Sequence, residues 1–302
     1  MTSPPITLAA VTNLLVALFV VVTMLSMGLR LTVRQILATA SRLNLMGRAL
    51  LVNIVLVPVL AFVLVRVLPT DPQLGVGILL MAMAPGAAFG PKLTQIARAE
   101  IALSVGLVAI LVALIVLTLP VTAALLLPGE TAIDSLGLVQ SLVLIEILPL
   151  TVGLAVHAWA RPFSRSVRPA VTKISTVLFV LAIVAVIAVS WPAFPSLLHL
   201  PSIAAALGTI IGSMVLGYWL GGPGIGTRRA LAITSLSRFA GIALFVADTG
   251  FPDPHVRAMI VAYFLVALIV GVALALIWSR QRQIPTPTAI PRERPARGGR
   301  AA

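Results

Sequence analysis

The feature that most constrains this chain is a series of long apolar runs, separated by short gaps that hold charged residues, proline or glycine. Each run is close to the roughly 20 residues that an α-helix needs to cross a bilayer. Because the bilayer core offers no water to backbone amide and carbonyl groups, such runs must be helices. The sequence therefore predicts an all-α polytopic membrane protein with about nine transmembrane helices. The predicted spans are Ile6–Gly28, Gly47–Leu68, Gln73–Ala97, Ile101–Leu127, Ser135–Trp159, Val171–Ser190, Ser202–Leu220, Arg229–Thr249 and His255–Trp278.

Composition excludes several classes of function. Apolar residues make up 60% of the chain and charged residues 10%, whereas soluble domains have about 45–50% and about 25%. The net charge of +13 lies on residues in short gaps and not on one solvated face, so we expect the lipid bilayer and not nucleic acid as a partner. The absence of cysteine excludes thiol chemistry. The histidines His157, His199 and His255 form no triad or metal spacing, so we expect no enzyme and no cofactor.

The charges in the gaps predict an orientation. The gaps after the first, third, fifth and seventh spans, together with the C-terminal segment, hold most of the 21 Lys and Arg residues. By the positive-inside rule, the N-terminus lies outside and the C-terminus in the cytoplasm, here of a bacterial inner membrane. The first span follows an uncharged MTSPP and is expected to be retained. We expect one transmembrane domain, 1–279, and a disordered basic cytoplasmic tail, 280–302.

Three charged residues are not explained by topology, because Lys92, Glu146 and Arg238 lie inside apolar runs. A charge near mid-bilayer costs ~2.5–3.5 kcal/mol even on insertion scales, so each should face a cavity or a partner. One alternative is a salt bridge between Glu146 and one of the two cations that serves only helix packing.

The spans that carry Lys92 and Arg238 also contain helix-breaking sequence. The third span includes APGAAFGPK, in which prolines and glycines disfavour continuous helix, and the eighth includes SLSRFAGI, a softer signal. Broken helices expose backbone groups that can bind ions and anions within the membrane. The two spans run in opposite directions and each precedes one more span, which predicts inverted repeats. The alternative for either one is a bent structural helix.

Four segments carry a family resemblance: MLSMGLRL, VNIVLVPVLAF, APGAAFGPKLTQIARAEIALSVGL and SRFAGIALFVAD, in this order between about Met24 and Trp278. They resemble the bile acid:sodium symporter family. The resemblance implies a carrier fold with a panel and a core, in which two broken helices cross beside the substrate crevice. It implies a panel of the spans at about 6–28, 135–159 and 171–190, and a core of the spans at about 47–127 and 202–278, as in nine-helix members that lack the first helix.

The resemblance also indicates where the sodium ligands of the family would fall, and most have been replaced. A Ser-Asn pair in the third span falls on Gly90 and Pro91. A glutamate shared by both sodium sites falls on Thr234, and the Gln-Asn pair after it falls on Arg238 and Phe239. This member therefore lacks most of the expected oxygen ligands.

The residual sodium-site positions are Asn53, Ser104 and Thr234. A hard cation needs several oxygen ligands and net negative charge, whereas this region offers the cations Lys92 and Arg238 instead. We expect no complete metal site and sodium coupling that is altered or absent, with a proton as the alternative coupling ion.

The sequence thus predicts a secondary transporter of a small organic anion that works by alternating access. Arg238 would hold a carboxylate, sulfate or phosphate as a planar fork, with Lys92 as a point charge. Glu146 is the candidate for the coupling proton, since it would compete with substrate for Arg238. The expected substrate-binding residues are Lys92, Arg238, Phe89, Phe239, Gly86, Gly90, Asn53, Ser104 and Thr234.

The alternative function is a non-transporting membrane sensor or partner-binding protein on the same fold. Loss of the sodium ligands also fits that alternative. Binding of an anion without counterflow would favour it.

Overall fold

The computed structural model describes residues 8–127, 135–251 and 253–281. Within these ranges the chain is helical and has no β-strand. The α-helices are α1 Leu8–Gly28, α2 Val33–Ala40, α3 Leu43–Leu50, α4 Val57–Val67, α5 Pro72–Met83, α6 Gly90–Ile96, α7 Ile101–Leu126, α8 Ser135–Leu142, α9 Leu148–Trp159, α10 Arg161–Ser190, α11 Leu200–Leu220, α12 Ile225–Leu236, α13 Ala240–Gly250 and α14 Pro254–Arg280.

Seven helical segments of the described residues are long and apolar enough to cross a membrane. These segments are Ala10–Gly28, Leu43–Val67, Ile101–Leu126, Leu136–Trp159, Arg161–Leu198, Leu200–Leu220 and Pro254–Arg280. Two shorter apolar helices, α5 and α13, belong to the spans predicted to be broken. The prediction of an all-α, multi-pass membrane protein is confirmed, whereas the count of nine spans, the inverted repeats and the two-domain division stay predictions. The tail 282–302 lies outside the described residues.

Two helix boundaries differ from the predicted spans. The first gap contains α2, which begins with a capping box in which Thr32 and Gln35 each satisfy the other's backbone amide. The sixth span starts earlier than predicted, because α10 begins at Arg161 and continues through Pro169. Hydropathy reports where a helix enters the membrane, whereas the basic first part of α10 extends as helix beyond that point.

Two of the membrane-crossing segments contain a π-helical turn. Leu51–Leu56 joins α3 to α4, and Val143–Ile147 joins α8 to α9. In each case a proline lies near the start of the following α-helix, and its missing N–H removes a regular helical hydrogen bond. Turns of this kind occur often at functional sites. The first contains Asn53 and the second contains Glu146.

The third and eighth predicted spans are broken where the sequence predicts it. α5 ends at Met83 and α6 begins at Gly90, while α12 ends at Leu236 and α13 begins at Ala240. We call the two connecting segments, 84–89 and 237–239, the crossover, because they lie against each other.

Backbone hydrogen bonds hold the crossover together. Pro85 and Arg238 form an isolated antiparallel β-bridge, and the Phe239 N–H donates to the Ala84 carbonyl oxygen at 2.8 Å. These bonds satisfy polar backbone groups that the broken helices would otherwise leave exposed in an apolar environment. Two interrupted helices from opposite halves of the chain are thereby joined.

On one side of the crossover, α1 packs against α9 and α10. The α1 and α9 backbones approach closely at two glycines. A Cβ on Gly28 would lie 2.3 Å from the Leu150 carbonyl oxygen, and one on Gly153 would lie 2.5 Å from the Leu25 carbonyl oxygen. Small residues permit such close helix contacts in membranes, where dispersion rather than water exclusion drives association.

Candidate functional site

A cavity of about 530 Å³ lies between α1 and α10 on one side and the crossover and α14 on the other. Its floor includes Arg238 and Phe239, both buried. Its mouth includes the exposed residues Arg30, Gln35 and Thr176. The cavity therefore runs from the crossover to the connection between α1 and α2.

Arg238 is the charged group at the floor, and its side chain is fully buried. Its Nη1 donates to the carbonyl oxygens of Ala82, at 3.1 Å, and Asn53, at 3.4 Å. Ala82 belongs to the last turn of α5, where carbonyls have no partner within the helix and form the negative end of the helix dipole. The Nε and Nη2 atoms have no hydrogen-bond partner in the described residues. Arg238 thus stabilises a helix end and keeps unsatisfied donors.

The helix after the crossover adds to this positive floor. Ala240 and Gly241, the first residues of α13, line the cavity. The first amide groups of a helix have no partner within it and carry a partial positive charge. The guanidinium and this helix start therefore make the floor electropositive.

The three residual sodium-site positions are buried behind the crossover and do not line the cavity. Thr94 Oγ1 donates to Ser104 Oγ at 3.1 Å, and the Ser104 and Thr234 hydroxyls lie 3.0 Å apart. Asn53 Nδ2 donates to Ser235 Oγ at 3.2 Å, while Asn53 Oδ1 has no partner in the described residues. The hydroxyl groups are therefore bonded to one another.

Lys92 does not lie at the cavity, which corrects the prediction that it joins Arg238 in one site. Its side chain is exposed on α6, and Nζ donates to Gln95 Oε1 at 3.2 Å. Leu93 and Thr94 occupy the buried face of this short helix instead. Lys92 lies six residues, or about 9 Å of helix, before the loop at Arg98. A flexible lysine side chain can cover most of that distance and place its charged end near the loop.

Glu146 is fully buried in the second π-helical turn and does not line the cavity. Neither carboxylate oxygen has a hydrogen-bond partner in the described residues. The alternative of a salt bridge with Lys92 or Arg238 is therefore absent from that part of the chain.

Both predicted aromatic residues line the cavity, whereas the two predicted glycines do not. The Phe239 ring packs edge-on against Phe19 at 6.2 Å, and the Phe89 ring packs edge-on against Phe264 at 5.6 Å. Gly86 has a φ of +101°, a conformation that favours glycine. It forms the turn of the crossover, and Gly90 begins α6.

Sequence reasoning missed the polar wall of the cavity. We use this name for six residues that lie on α1, on α10 and in the segment just after α1. The polar wall comprises Thr23, Ser26, Arg30, Thr172, Ser175 and Thr176. The Thr23 and Ser175 hydroxyls lie 2.7 Å apart, and the Arg30 Nη2 donates to Thr172 Oγ1 at 2.5 Å. The spacing of three or four residues along each helix is a signal of one polar face. Arg30 lies in the gap after the first span, where loop charge by itself indicates only topology.

The surroundings of Arg30 disfavour its charged form. Partial burial, and then the neighbouring Arg168 cation, lower the pKa of the Arg30 guanidinium from its ordinary value. No acidic side chain lines the cavity in the described part of the chain. Nothing there neutralises the charge of Arg30.

An all-α membrane protein with a cavity at the crossing of two broken helices has the architecture of a secondary transporter. The model of the Sodium Bile acid symporter family matches residues 17–193, which is more than half of the chain. The chain belongs to this family, and the resemblance seen in its sequence is confirmed.

Two relatives from plants show how far the similarity extends. The chain is 26% identical over 268 residues to a "Probable sodium/metabolite cotransporter BASS2, chloroplastic" of Oryza sativa subsp. japonica, covering 87% of this chain and 63% of the relative. It is 27% identical over 154 residues to a "Probable sodium/metabolite cotransporter BASS1, chloroplastic" of Arabidopsis thaliana, covering 51% of this chain and 38% of the relative. The chain thus spans less than two thirds of the length of either relative.

Proposed function

We propose that this protein is a secondary transporter that carries a small organic anion by alternating access, and is not an enzyme. The observation that carries the proposal is Arg238, which lines the floor of the cavity and whose fully buried guanidinium donates to the carbonyl oxygens of Ala82 and Asn53. The printed names of the relatives, which describe sodium/metabolite cotransporters, support a transport function.

The charge of the cavity favours an anion. Arg238 and the start of α13 make its floor electropositive, and Arg30 adds a cation at the mouth. Within the described residues no carboxylate lines the cavity. In surroundings of low dielectric constant, an anion gains from each of these groups, whereas a cation would be repelled.

We further propose that sodium coupling is altered or absent. A bound Na⁺ needs several oxygen ligands and a negative balance of charge. The Thr94, Ser104 and Thr234 hydroxyls are already bonded to one another, and Arg238 lies beside the Asn53 carbonyl. Arg238 would act as a permanent cation that stabilises the carbonyl end of α5. A bound sodium ion would then not be needed to provide positive charge there.

The orientation and the coupling ion are part of the same proposal. With the N-terminus outside a bacterial inner membrane, the mouth at Arg30 would face the cytoplasm, so this conformation would be open inward. Burying a charged carboxylate without a partner costs far more than burying the neutral acid. Glu146, which has no partner in the described residues, is therefore our candidate to carry a coupling proton.

Transport by purified protein in liposomes tests the anion site. A thermal-shift screen with carboxylates and sulfonates, from pyruvate to glycocholate, identifies a binder, and counterflow of that anion is then measured. We expect Arg238→Met to abolish flux and Lys92→Met to leave it unchanged, since Lys92 lies away from the cavity. Full flux in Arg238→Met would overturn the proposal. Binding without counterflow would favour the non-transporting alternative.

A second measurement separates the coupling ions. Flux is compared with an imposed sodium gradient, an imposed proton gradient, or neither. We expect the wild-type flux to respond to the proton gradient. Glu146→Gln should remove this response but retain counterflow when the pH is equal on both sides. A response to sodium alone would rule out both the fixed-cation and the proton ideas.

A further inference from the structure

The mouth of the cavity contains a second cationic group that the proposed floor site does not use. Arg30 follows the last turn of α1, and its Nη2 donates to Thr172 Oγ1. Ser26 Oγ lies 3.0 Å from the same threonine oxygen. A guanidinium has five N–H donors in a planar fork, so Arg30 keeps donors for a ligand while Thr172 holds its orientation.

Opposite the polar wall, the cavity lining is mainly apolar, and an aromatic cluster lies near the floor. Phe179 lies beside both Phe19, at 5.2 Å between ring centroids, and Phe264, at 5.5 Å. Phe89 continues this cluster, since its ring packs on Phe264. A ligand that reaches from one end to the other therefore passes the polar wall on one side and apolar residues on the other. This lining favours a middle part with an apolar or aromatic face.

The two cationic ends are well separated along α1. Phe19 marks the level of the floor, because its ring packs against Phe239. Arg30 is eleven residues further, which corresponds to roughly 16 Å at the rise of an α-helix. Allowing for the reach of the arginine side chain, an anion at the mouth and one at the floor would lie on the order of 10–15 Å apart.

We propose that Arg30, held by Thr172, is a second anion subsite, and that the substrate is an elongated organic dianion with an apolar middle. The inference rests on the proposed anion transport and specifies its substrate class. A small monoanion would occupy only one end, whereas a dianion of matching length gains a charge-assisted contact with Arg30 at the mouth and attraction to the positive charge at the floor.

The competing explanation is that Arg30 only sets membrane topology, as basic residues at the cytoplasmic side commonly do. Arg34 provides a matched control, because it carries the same charge four residues away but does not line the cavity. A purely topological role predicts the same effect for both residues.

The test uses the purified full chain and a series of straight-chain dicarboxylates, from succinate to tetradecanedioate, each paired with its monomethyl ester. Dissociation constants are measured by equilibrium binding of the labelled acids. We expect affinity to peak near dodecanedioate, and the diacid to bind roughly tenfold more tightly than its ester. Arg30→Gln should remove that preference, Arg30→Lys should keep part of it, and Arg34→Gln should keep all of it.

The outcomes separate this inference from the proposed function. Equal binding of diacid and ester by the wild type, with both lost in Arg238→Met, overturns the second subsite and leaves anion binding intact. An unchanged diacid preference in Arg30→Gln overturns it too. If neither the dicarboxylates nor any anion of the thermal-shift screen binds, both proposals fail. Thermal unfolding of each variant verifies that it is folded.

Discussion

The Phe239 amide N–H donates to the Ala84 carbonyl oxygen at 2.8 Å, and this bond joins the ends of two half-helices from opposite halves of the chain. It places the positive start of α13 beside the negative end of α5. The guanidinium of Arg238, one residue before Phe239, lies between the two and donates to Ala82. α1 packs against α13 and lines the same cavity. A change in the relative position of α1 and α13 would therefore change access to the charged floor.

Disulfide cross-linking tests whether α1 and α13 move apart during transport. A Cβ on Gly241 would lie 3.1 Å from Val20 Cγ2, a separation close to that between a sulfur and the partner Cβ across a disulfide. The chain has no cysteine, so no background pairs form. We expect oxidised Val20→Cys/Gly241→Cys to lose flux and to regain it on reduction.

The matched control is a disulfide within the polar wall. The Thr23 and Ser175 hydroxyls lie 2.7 Å apart on α1 and α10, which pack together over much of their length. Thr23→Cys/Ser175→Cys should show the same flux in its oxidised form as in its own reduced form. Equal flux in the oxidised and reduced forms of the first pair would contradict movement of α1 against α13.

The turn of the crossover should be sensitive to a single methyl group. Gly86 has a positive φ, and a Cβ there would lie 3.0 Å from Val112 Cγ2. We expect Gly86→Ala to reduce the free energy of unfolding by about 1–3 kcal/mol, seen as a lower midpoint of thermal unfolding in detergent. Gly47→Ala is the control, because Gly47 is helical and its Cβ would meet nothing within 4 Å. A midpoint for Gly86→Ala equal to that of the control would show that the turn is unstrained.

An ion pair at the far end of α13 should contribute to stability. Arg257 Nε lies 2.6 Å from Asp248 Oδ1, and both side chains are less than a tenth exposed. Removing the carboxylate leaves the Arg257 charge buried, so Asp248→Asn is expected to cost about 3–5 kcal/mol. Asp248→Asn combined with Arg257→Gln should cost less than the sum of the single changes. Additive costs in this double-mutant cycle would mean that the two charges do not interact.

The hydroxyl network behind the crossover gives a test that does not depend on knowing the substrate. Ser104→Ala removes the hydroxyl between Thr94 and Thr234 and should cost about 1–2 kcal/mol of unfolding free energy. Thr118→Ala on the same helix is the control, because Thr118 bonds only its own helix, and should cost under about 0.5 kcal/mol. Replacing potassium by sodium in the buffer should leave the midpoint of thermal unfolding of the wild-type protein unchanged. A sodium-dependent rise would indicate that these oxygens bind the ion.

Local sequence signals predicted the two breaks but could not rank the two cations near them. Lys92 and Arg238 each lie in or just after a helix-breaking segment in a similar apolar context. Arg238 lies within its break and donates to the carbonyl of Ala82, whereas Lys92 lies in the first turn of a helix whose buried face is occupied by Leu93 and Thr94. The difference depends on which face of a seven-residue helix meets its neighbours, and periodicity over so few residues does not determine that.

The sequence by itself determined that the chain is a multi-pass helical membrane protein, where two of its spans break, and to which family it belongs. These properties follow from local physics, since apolar length sets membrane crossing and proline and glycine interrupt helices at their own positions. Only the tertiary structure decided that Arg238 is enclosed at the crossover, that Lys92 points away, and that Arg30 completes a polar wall with Thr172. Those outcomes depend on contacts between residues far apart in the chain, and no single helix carries the information about which of its faces will meet another.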